Sequence, residues 1–242
     1  MKVVGFDIKR KVYAVFIEGV REIENAEFKE YGDIGELLRA VGEDYLLVTG
    51  VDTKEFIVQY EVLPDTMENK IQEILDIKFK GRERLRKGFY IFERKDDKIS
   101  ALLFGVPENL VVRLEKILEK RRFIIDSALF SFFNILEFTN CLEDGAFIHA
   151  LNGFYHFLRI KDKKPLLMKT FEGEFEEPVE WIKNGVKEIE KSEVEKVGVA
   201  GELCSKYPHL CLSELNSIFG FENKEKYIIA AGYAVRGFHD KG

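Results

Sequence analysis

Two stretches of the chain, VVGFDIKRKVYAVFI at residues 3–17 and LEDGAFIHALNGFYHFLRI at residues 142–160, follow the same pattern. In each, an apolar run is interrupted by a short polar turn and then resumes, which is typical of a β-hairpin. Each stretch also carries an aspartate near its opening, Asp7 in the first and Asp144 in the second. Because the same hairpin pattern opens both halves of the chain, we predict two related lobes that face each other across a cleft.

The composition is that of an ordinary globular protein of 242 residues, with 46% hydrophobic and 33% charged residues and a formal charge of -6. A chain of this length can bury a sizeable core in one or two domains. Charges of both signs are interspersed, so the overall balance does not favour nucleic acid as a partner. The most apolar window, residues 123–138, is shorter than a bilayer span and contains Asp126 and Glu137. Because no secretory leader precedes Val3, we expect a cytoplasmic protein.

The cysteines give no sign of a metal or redox site. There are three of them, Cys141, Cys204 and Cys211, and none of their spacings is the CxxC of zinc or redox sites. We therefore expect small buried side chains in the free form that a reducing compartment maintains.

The pattern of apolar residues divides the chain into three parts. Residues 1–54 predict a three-stranded meander, a short helix and a buried strand, and residues 123–139 complete this first lobe with a further strand and an aromatic helix. Between them, residues 55–122 predict a strand, a helix, two strands and a second helix, which is typical of a small inserted α+β subdomain. Residues 140–242 are predicted to form the second lobe. The predicted class is therefore α/β.

The turn of the second hairpin is Asn152-Gly153, the strongest short signal for a two-residue turn between strands. This turn fixes the register, so that His149 and His156 become direct cross-strand neighbours. A metal site would need at least one more ligand, and the nearby sequence offers only carboxylates of unknown position. We therefore interpret the two histidines as a structural pair.

Three loops could line the cleft, where a nucleotide-binding protein needs exposed backbone N–H groups around the phosphates. Glycine and small hydroxyl residues are expected in such loops, because the backbone must approach the ligand closely. The loop after the first strand instead runs DIKRK, from Asp7 through Lys9 to Lys11, without a glycine or a hydroxyl. Lys9 or Lys11 could still touch a phosphate as a point charge.

The other two loops are also incomplete. The pair Asp144-Gly145 is followed by Ala146, where a threonine or serine would contact a γ-phosphate, and the pair Gly201-Glu202 has one glycine where two adjacent ones are usual. No motif of hydrolases, zinc proteases or dinucleotide-binding enzymes occurs, and we predict neither a catalytic residue nor a metal ligand. The vestigial nucleotide-binding candidates are Asp7, Lys9, Lys11, Asp144, Gly145, Gly201 and Glu202.

The order of these features resembles the PilM family of type IV pilus assembly proteins and the cytoplasmic region of GspL (EpsL) of type II secretion. The stretch VVGFDI at residues 3–8 is similar to the family's opening, and LVTGVDTKEFI at residues 47–57 is similar to its strand pair, which ends in Leu-Pro. ALLFGVPENL at residues 101–110 is similar to the segment that closes the inserted subdomain, and IAAGYAVRG at residues 229–237 is similar to the last helix. The resemblance implies an actin-like, ribonuclease H-like fold of two lobes with a small insertion.

The departures from this resemblance lie where PilM binds ATP, in the loops at Asp7, Asp144 and Gly201. They favour a scaffold without evident catalysis, as in GspL, and we expect no resident cofactor. The alternative is an active, ATP-binding PilM-like ATPase in which Asp7 and Asp144 position magnesium and water. A filament-forming relative, which requires self-association through the lobes, is a third class.

The resemblance also implies partners. A scaffold of this kind would join a PilN-like inner-membrane assembly protein to a cytoplasmic secretion or pilus ATPase, with no role for nucleic acid. It would lie at the inner face of the inner membrane, held there by its partners or by a transmembrane segment beyond Gly242. We expect a peptide site in a groove between the first lobe and the inserted block, by addition of a strand to an exposed sheet edge. A homodimer stays open as an alternative.

Overall fold

The structure is a computed structural model, and its description here applies to residues 1–82, 84–190, 194, 196–216, 218–221 and 224–239. The strands in this part of the chain are β1 (Lys2–Ile8), β2 (Val12–Glu18), β3 (Asn25–Tyr31), β4 (Leu46–Val51), β5 (Ile57–Pro64), β6 (Leu85–Lys95), β7 (Lys98–Pro107), β8 (Phe123–Ser127), β9 (Gly145–Leu151), β10 (Phe154–Lys161), β11 (Lys164–Glu172) and β12 (Val197–Gly201). The α-helices are α1 (Ile34–Ala40), α2 (Ile71–Lys78), α3 (Glu108–Leu118), α4 (Ala128–Phe138), α5 (Pro178–Glu190), α6 (Leu203–Lys206), α7 (Ser213–Asn216) and α8 (Ile228–His239). None of the described helices is long and apolar enough to span a bilayer.

The first sheet contains five strands in the order β3-β2-β1-β4-β8. The strands β1, β2 and β3 form the predicted antiparallel meander, and β4 and β8 extend the sheet as parallel strands beyond β1. Helix α1 connects β3 to β4, and Asp33 caps it by accepting a hydrogen bond from the Glu36 N–H. Successive residues of β4 point to different cores, Leu47 to one and Val48 to the other, because both faces of a parallel sheet are covered.

The second sheet has the order β11-β10-β9-β12, which repeats the order of the first four strands of the first sheet. The predicted duplication is therefore confirmed. The turn between β9 and β10 has positive φ at Asn152 (53°) and Gly153 (79°), and His149 pairs with His156 as predicted. Strand β11 was not predicted. Its turn lies at residues 162–163, which are Asp and Lys with positive φ, and this pair lacks the glycine or asparagine signal of a two-residue turn.

The third sheet has the order β5-β7-β6 and lies within the predicted insertion. The predicted succession of strand, helix, two strands and helix is confirmed, although a 3-10 turn at residues 65–70 delays the start of α2. A separate small core forms where Leu75 and Phe79 pack against Ile99 of β7. Strand β6 is an edge of the third sheet and β8 an edge of the first. Residues of both strands line the same two cavities, so these two edges lie near each other.

Two helices pack between the first and second sheets and join them. Helix α8 lies against β1 and β2, while α4 contacts α8 on one side and β10 and β11 on the other. The closest approach is at Gly232, where a Cβ atom would lie 2.1 Å from the carbonyl oxygen of Ser131. A Cβ at Gly5 of β1 would likewise lie 2.2 Å from the carbonyl oxygen of Ala230. These two glycines therefore set the spacing of the helices and the first sheet.

The expectation of three free cysteines was wrong for two of them. Cys204 and Cys211 form a disulfide, while Cys141 is free and buried as predicted. The segment after α6 turns back toward β12, where Cys211 forms an isolated bridge with Val199, and this return brings the two Cα atoms to 4.9 Å. The pairing depends on that tertiary path, which the spacing of the cysteines does not reveal.

We expect Gly232→Ala to lower the free energy of unfolding by about 3 kcal/mol, because the added methyl group has no room between α8 and α4. The matched control is Gly185→Ala in α5, where a Cβ would meet no atom within 4 Å. Since alanine favours helix more than glycine, this control should raise the free energy of unfolding by up to about 1 kcal/mol. Urea denaturation of both variants measures the two changes, and equal effects would contradict the packing described here.

Candidate functional site

Asp7 and Lys9 lie together at the end of β1. Asp7 is the last residue but one of this strand and is 3% exposed. The chain then turns so that the Lys9 side chain, 1% exposed, folds back under the sheet edge. Its Nζ lies 3.7 Å from Asp7 Oδ1 and forms an ion pair with Asp52. The ammonium of Lys9 is thus a buried cation at the end of β1, on the cleft side of the first sheet.

Asp52 joins the first sheet to the second. It directly follows β4, and because β4 runs parallel to β1, the carboxyl ends of the two strands meet at the same edge. Both Asp52 carboxylate oxygens lie 2.9 Å from Nε2 of His156, which belongs to β10 of the second sheet. The carboxylate therefore has the Lys9 ammonium on one side and an imidazole on the other.

The hydrogen bonds continue from His156 to His149. The two Nδ1 atoms are 3.0 Å apart and the two rings stack with centroids 5.3 Å apart. Because Asp52 only accepts, Nε2 of His156 carries the hydrogen, and a neutral His156 then accepts at Nδ1 the hydrogen that His149 donates from Nδ1. This assignment leaves Nε2 of His149 as an acceptor, and that atom has no hydrogen-bond partner among the described residues.

Burial dominates the electrostatics of this group. It lowers the pKa of His156 to about 3, with the nearby Lys9 cation as a second cause. Burial, the neighbouring His156 and Lys9 also hold the pKa of His149 well below its usual range. Burial lowers the pKa of Lys9 as well, against the opposing effect of the Asp7 carboxylate. Burial therefore favours the neutral form of both histidines, against the opposing effect of the Asp7 and Asp52 carboxylates on His156.

We call Asp7, Lys9, Asp52, His156 and His149 the cleft network. A further contact reinforces it, because the Lys9 Nζ lies 4.1 Å from the ring centroid of Phe154 in β10, within cation–π distance. Three of its residues belong to the first sheet or directly follow its strands, and two belong to the second. Removing one member of such a buried charge pair is strongly destabilising, since the remaining charge loses its compensation.

The other predicted site residues lie in different places. Lys11 is exposed and pairs with Glu30 on the surface of the first sheet. Asp144 and Gly145 stand at the start of β9, where Asp144 accepts a hydrogen bond from the Asp162 N–H at 2.7 Å. The turn that faces Lys9 is at the opposite end of β9, about 20 Å away by the rise of a strand. Asp144 therefore does not face Asp7 across the cleft.

Gly201 and Glu202 do reach the cleft, and they support the hairpin turn. Gly201 has a φ of 70°, and a Cβ there would lie 2.2 Å from the carbonyl oxygen of Ala150. Glu202 accepts a hydrogen bond at Oε2 from the Asn152 N–H at 3.1 Å. The Glu202 carboxylate thus stabilises the turn at residues 152–153 through this hydrogen bond.

These residues do not fit a magnesium nucleotide. Magnesium takes six oxygen ligands, whereas the group beside Asp7 is the ammonium of Lys9. Phosphates need free backbone N–H groups, but the Asn152 N–H donates to Glu202 and the Lys9 N–H donates to the carbonyl oxygen of Lys11 at 2.9 Å. The Glu202 carboxylate would also repel a phosphate placed at this turn.

A second candidate site is the groove between the free edges of β8 and β6, which we call the edge groove. It consists of two adjoining cavities of about 340 and 210 Å³, which share Phe104, Ile125, Asp126 and Phe130 in their walls. Phe104 packs edge-to-face on Phe130 at 5.2 Å and stacks on Phe56 at 6.1 Å, so three aromatic rings form the floor. The floor of the groove is therefore apolar, while charged and polar residues such as Arg86, Glu115 and Arg236 line its walls. The groove lies between the first and third sheets, where we expected a peptide site.

Comparison with solved structures identifies the fold. A chain of the PilM–PilN type IV pilus biogenesis complex superimposes with a TM-score of 0.72, at 10% identity over 98% of both chains. A Bacteroides thetaiotaomicron protein of unknown function with an actin-like ATPase fold gives a TM-score of 0.52, at 13% identity over 95% of both. The protein has the actin-like ATPase fold. The cytoplasmic domain of EpsL, an inner membrane component of the type II secretion system of Vibrio cholerae, gives 0.52 at 8% identity over 82% of both.

The predicted resemblance to PilM and EpsL is thus confirmed in the fold. No protein-family model and no curated protein matches the sequence. At identities this low the comparison establishes architecture, and function has to be argued from the residues of this chain.

Sequence reasoning missed Asp52, the residue that connects the two halves of the cleft network. Its signal was its position directly after β4, since polar residues at the carboxyl ends of adjacent parallel strands lie close together. Phe154 was missed as well. Its contact with Lys9 depends on how the two hairpin turns face each other, and no local pattern encodes that.

The cleft network predicts a steep loss of stability in acid. Since the unfolded chain binds protons at its histidines near pH 6.5 and the folded chain resists them, the free energy of unfolding falls below that pH by up to about 1.4 kcal/mol per pH unit for each buried histidine. The variant His149→Asn keeps a donor at the Nδ1 position but cannot titrate. Its free energy of unfolding, measured with urea between about pH 6.5 and 4.5, should fall less steeply than that of the natural protein.

The matched control for this pH series is His209→Asn, which removes an exposed histidine outside the cleft network. We expect it to follow the pH dependence of the natural protein. Parallel curves for all three proteins would contradict the assignment of His149 as a neutral, buried group.

Proposed function

We propose that the protein is a non-catalytic, actin-like scaffold of an inner-membrane pilus or secretion assembly platform, which binds an extended segment of a membrane partner in the edge groove. The observation that carries this proposal is the position of the groove between two unpaired sheet edges. Among the described residues, β8 pairs only with β4, and β6 pairs only with β7. A peptide strand could therefore add to either edge through main-chain hydrogen bonds.

The floor of the groove favours an apolar peptide. Side chains of an added strand alternate between the two faces, so every second one would point to the aromatic floor formed by Phe56, Phe104 and Phe130. Polar groups flank the floor, with Arg236 and Asp126 3.7 Å apart in the smaller cavity. A segment with bulky apolar residues at alternate positions fits this arrangement.

A neighbour in structure supports the choice of partner, as does the groove. One of them is a PilM–PilN complex, and we propose that a PilN-like inner-membrane protein supplies the segment. The scaffold would then be held at the cytoplasmic face of the membrane by this partner and would join it to a cytoplasmic assembly ATPase. We also propose the division of the chain into three parts. The first lobe consists of residues 1–54 and 123–139, the insertion of residues 55–122, and the second lobe of residues 140–242.

The cleft network supports the absence of catalysis. Lys9 provides the positive charge beside Asp7 that magnesium would otherwise supply, and it is fixed there by Asp52 and Phe154. The scaffold would therefore keep its two sheets in a fixed relation without a nucleotide. ATP with magnesium remains the alternative ligand, with Asp7 as the residue that would have to exchange Lys9 for the metal.

The direct test is binding of a synthetic peptide with the N-terminal sequence of the membrane protein encoded beside this chain. We expect saturable binding by isothermal titration calorimetry, and Phe89→Glu should weaken it at least about tenfold, because Phe89 is 44% exposed and lines the smaller cavity. The matched control is Phe221→Glu, which changes an aromatic residue that is 43% exposed and does not line the groove. Equal loss in both variants, or no binding at tens of micromolar, would count against the proposal.

A further inference from the structure

A second apolar surface lies on the second sheet, and its residues are separate from those that line the edge groove. Its centre is Trp181, the only tryptophan of the sequence, which is 49% exposed. The indole packs edge-on against Phe171 with centroids 4.6 Å apart, and Phe175 contacts both Trp181 and Tyr155 at 5.6 and 5.0 Å. We call these four residues the aromatic platform.

The residues of the aromatic platform come from four separate elements and pack against one another. Tyr155 belongs to β10 and Phe171 to β11, where the two are directly paired across the strands. Phe175 belongs to the following loop, and Trp181 to α5. The buried side of α5 is formed by Val179, Ile182 and Val186, so the helix is fixed without Trp181. A large aromatic side chain held in this way loses little conformational entropy on binding, which is why tryptophan and tyrosine dominate interface hot spots.

The segment between Phe171 and Trp181 is acidic, although Lys206 donates a hydrogen bond from Nζ to the carbonyl oxygen of Glu176. Residues 172–180 contain five glutamates and neither lysine nor arginine. Glu172 lies 3.7 Å from Lys54, and Glu180 pairs with Lys183. The side chains of Glu174, Glu176 and Glu177 are exposed and have no ion-pair partner among the described residues.

The platform already accepts a cation from its own chain. The Nζ of Lys169 lies 5.1 Å from the ring centroid of Phe171, within cation–π distance. A cationic partner would meet the half-exposed indole of Trp181 and, in the segment that precedes it, the exposed carboxylates of Glu174, Glu176 and Glu177. Such a surface attracts lysine and arginine and disfavours an acidic segment.

We propose that the aromatic platform docks a lysine- or arginine-rich amphipathic segment of a second protein, with an apolar side chain against Trp181 and cations on Glu174, Glu176 and Glu177. This inference extends the proposed scaffold function, since a scaffold that joins two partners needs two separate surfaces. None of the platform residues lines the edge groove. The platform is therefore able to bind while the groove is filled.

The sole tryptophan makes the test direct, because its fluorescence reports on the platform alone. The probe is a synthetic amphipathic peptide of lysine and leucine at helical spacing, without tryptophan, and the reference is the same peptide with glutamate in place of lysine. We expect a saturable blue shift of Trp181 emission with the lysine peptide below roughly 100 µM, weakened by salt, and none with the glutamate peptide. No groove peptide is present, so this result is independent of the proposed groove.

Matched variants separate local recognition from attraction to an acidic protein. The triple variant E174Q/E176Q/E177Q should weaken binding of the lysine peptide at least about tenfold. The control E22Q/E24Q/E43Q removes the same number of exposed charges elsewhere and should leave the binding unchanged. Equal weakening by the two variants, or no spectral response, would overturn the proposal. So would a concentration-dependent shift without peptide, which would assign the platform to self-association.

Discussion

The structure depends on the close contact of α8 with β1 on one side and α4 on the other. The absence of side chains at Gly5 and Gly232 lets the helix backbones approach the sheet and each other, which a single methyl group would prevent. Since α4 also packs on β10 and β11, this contact ties together two sheets that have the same strand order but come from different halves of the chain. Both the cleft and the groove are positioned by that arrangement.

The cleft network is the chemical consequence of bringing these two sheets together. Two parallel strands of the first sheet end side by side, which places Asp7, Lys9 and Asp52 in a buried group that faces His156 of the second sheet. Burying such charges is favourable only if they are compensated. Here Lys9 lies beside both carboxylates and His156 donates a hydrogen bond to Asp52, while Oδ2 of Asp7 has no hydrogen-bond partner among the described residues. The cleft network is thus formed by side chains of the protein itself. The partners that we propose for the protein would bind at two outer surfaces, the edge groove and the aromatic platform.

Local signals in the sequence were sufficient for much of the fold. The Asn152-Gly153 turn predicted a register that the structure confirms, and the repeated opening predicted two related sheets. Features that depend on how distant segments meet were not accessible in this way. Asp52 reaches His156 across 104 residues of sequence, and the Cys204–Cys211 pair forms only because its loop returns to β12. Asp144 resembled Asp7 in the pattern, yet it stands at the opposite end of its strand.

The most direct test of this account is isothermal titration of the purified protein with ATP, with and without magnesium. The cleft network predicts no heat of binding up to about millimolar ATP, because the Lys9 ammonium lies beside Asp7 and the Asn152 N–H donates to Glu202. Magnesium-dependent binding in the micromolar range would contradict it. That result would mean that Lys9 leaves Asp7 when a nucleotide binds, and it would favour the alternative, an ATP-binding ATPase.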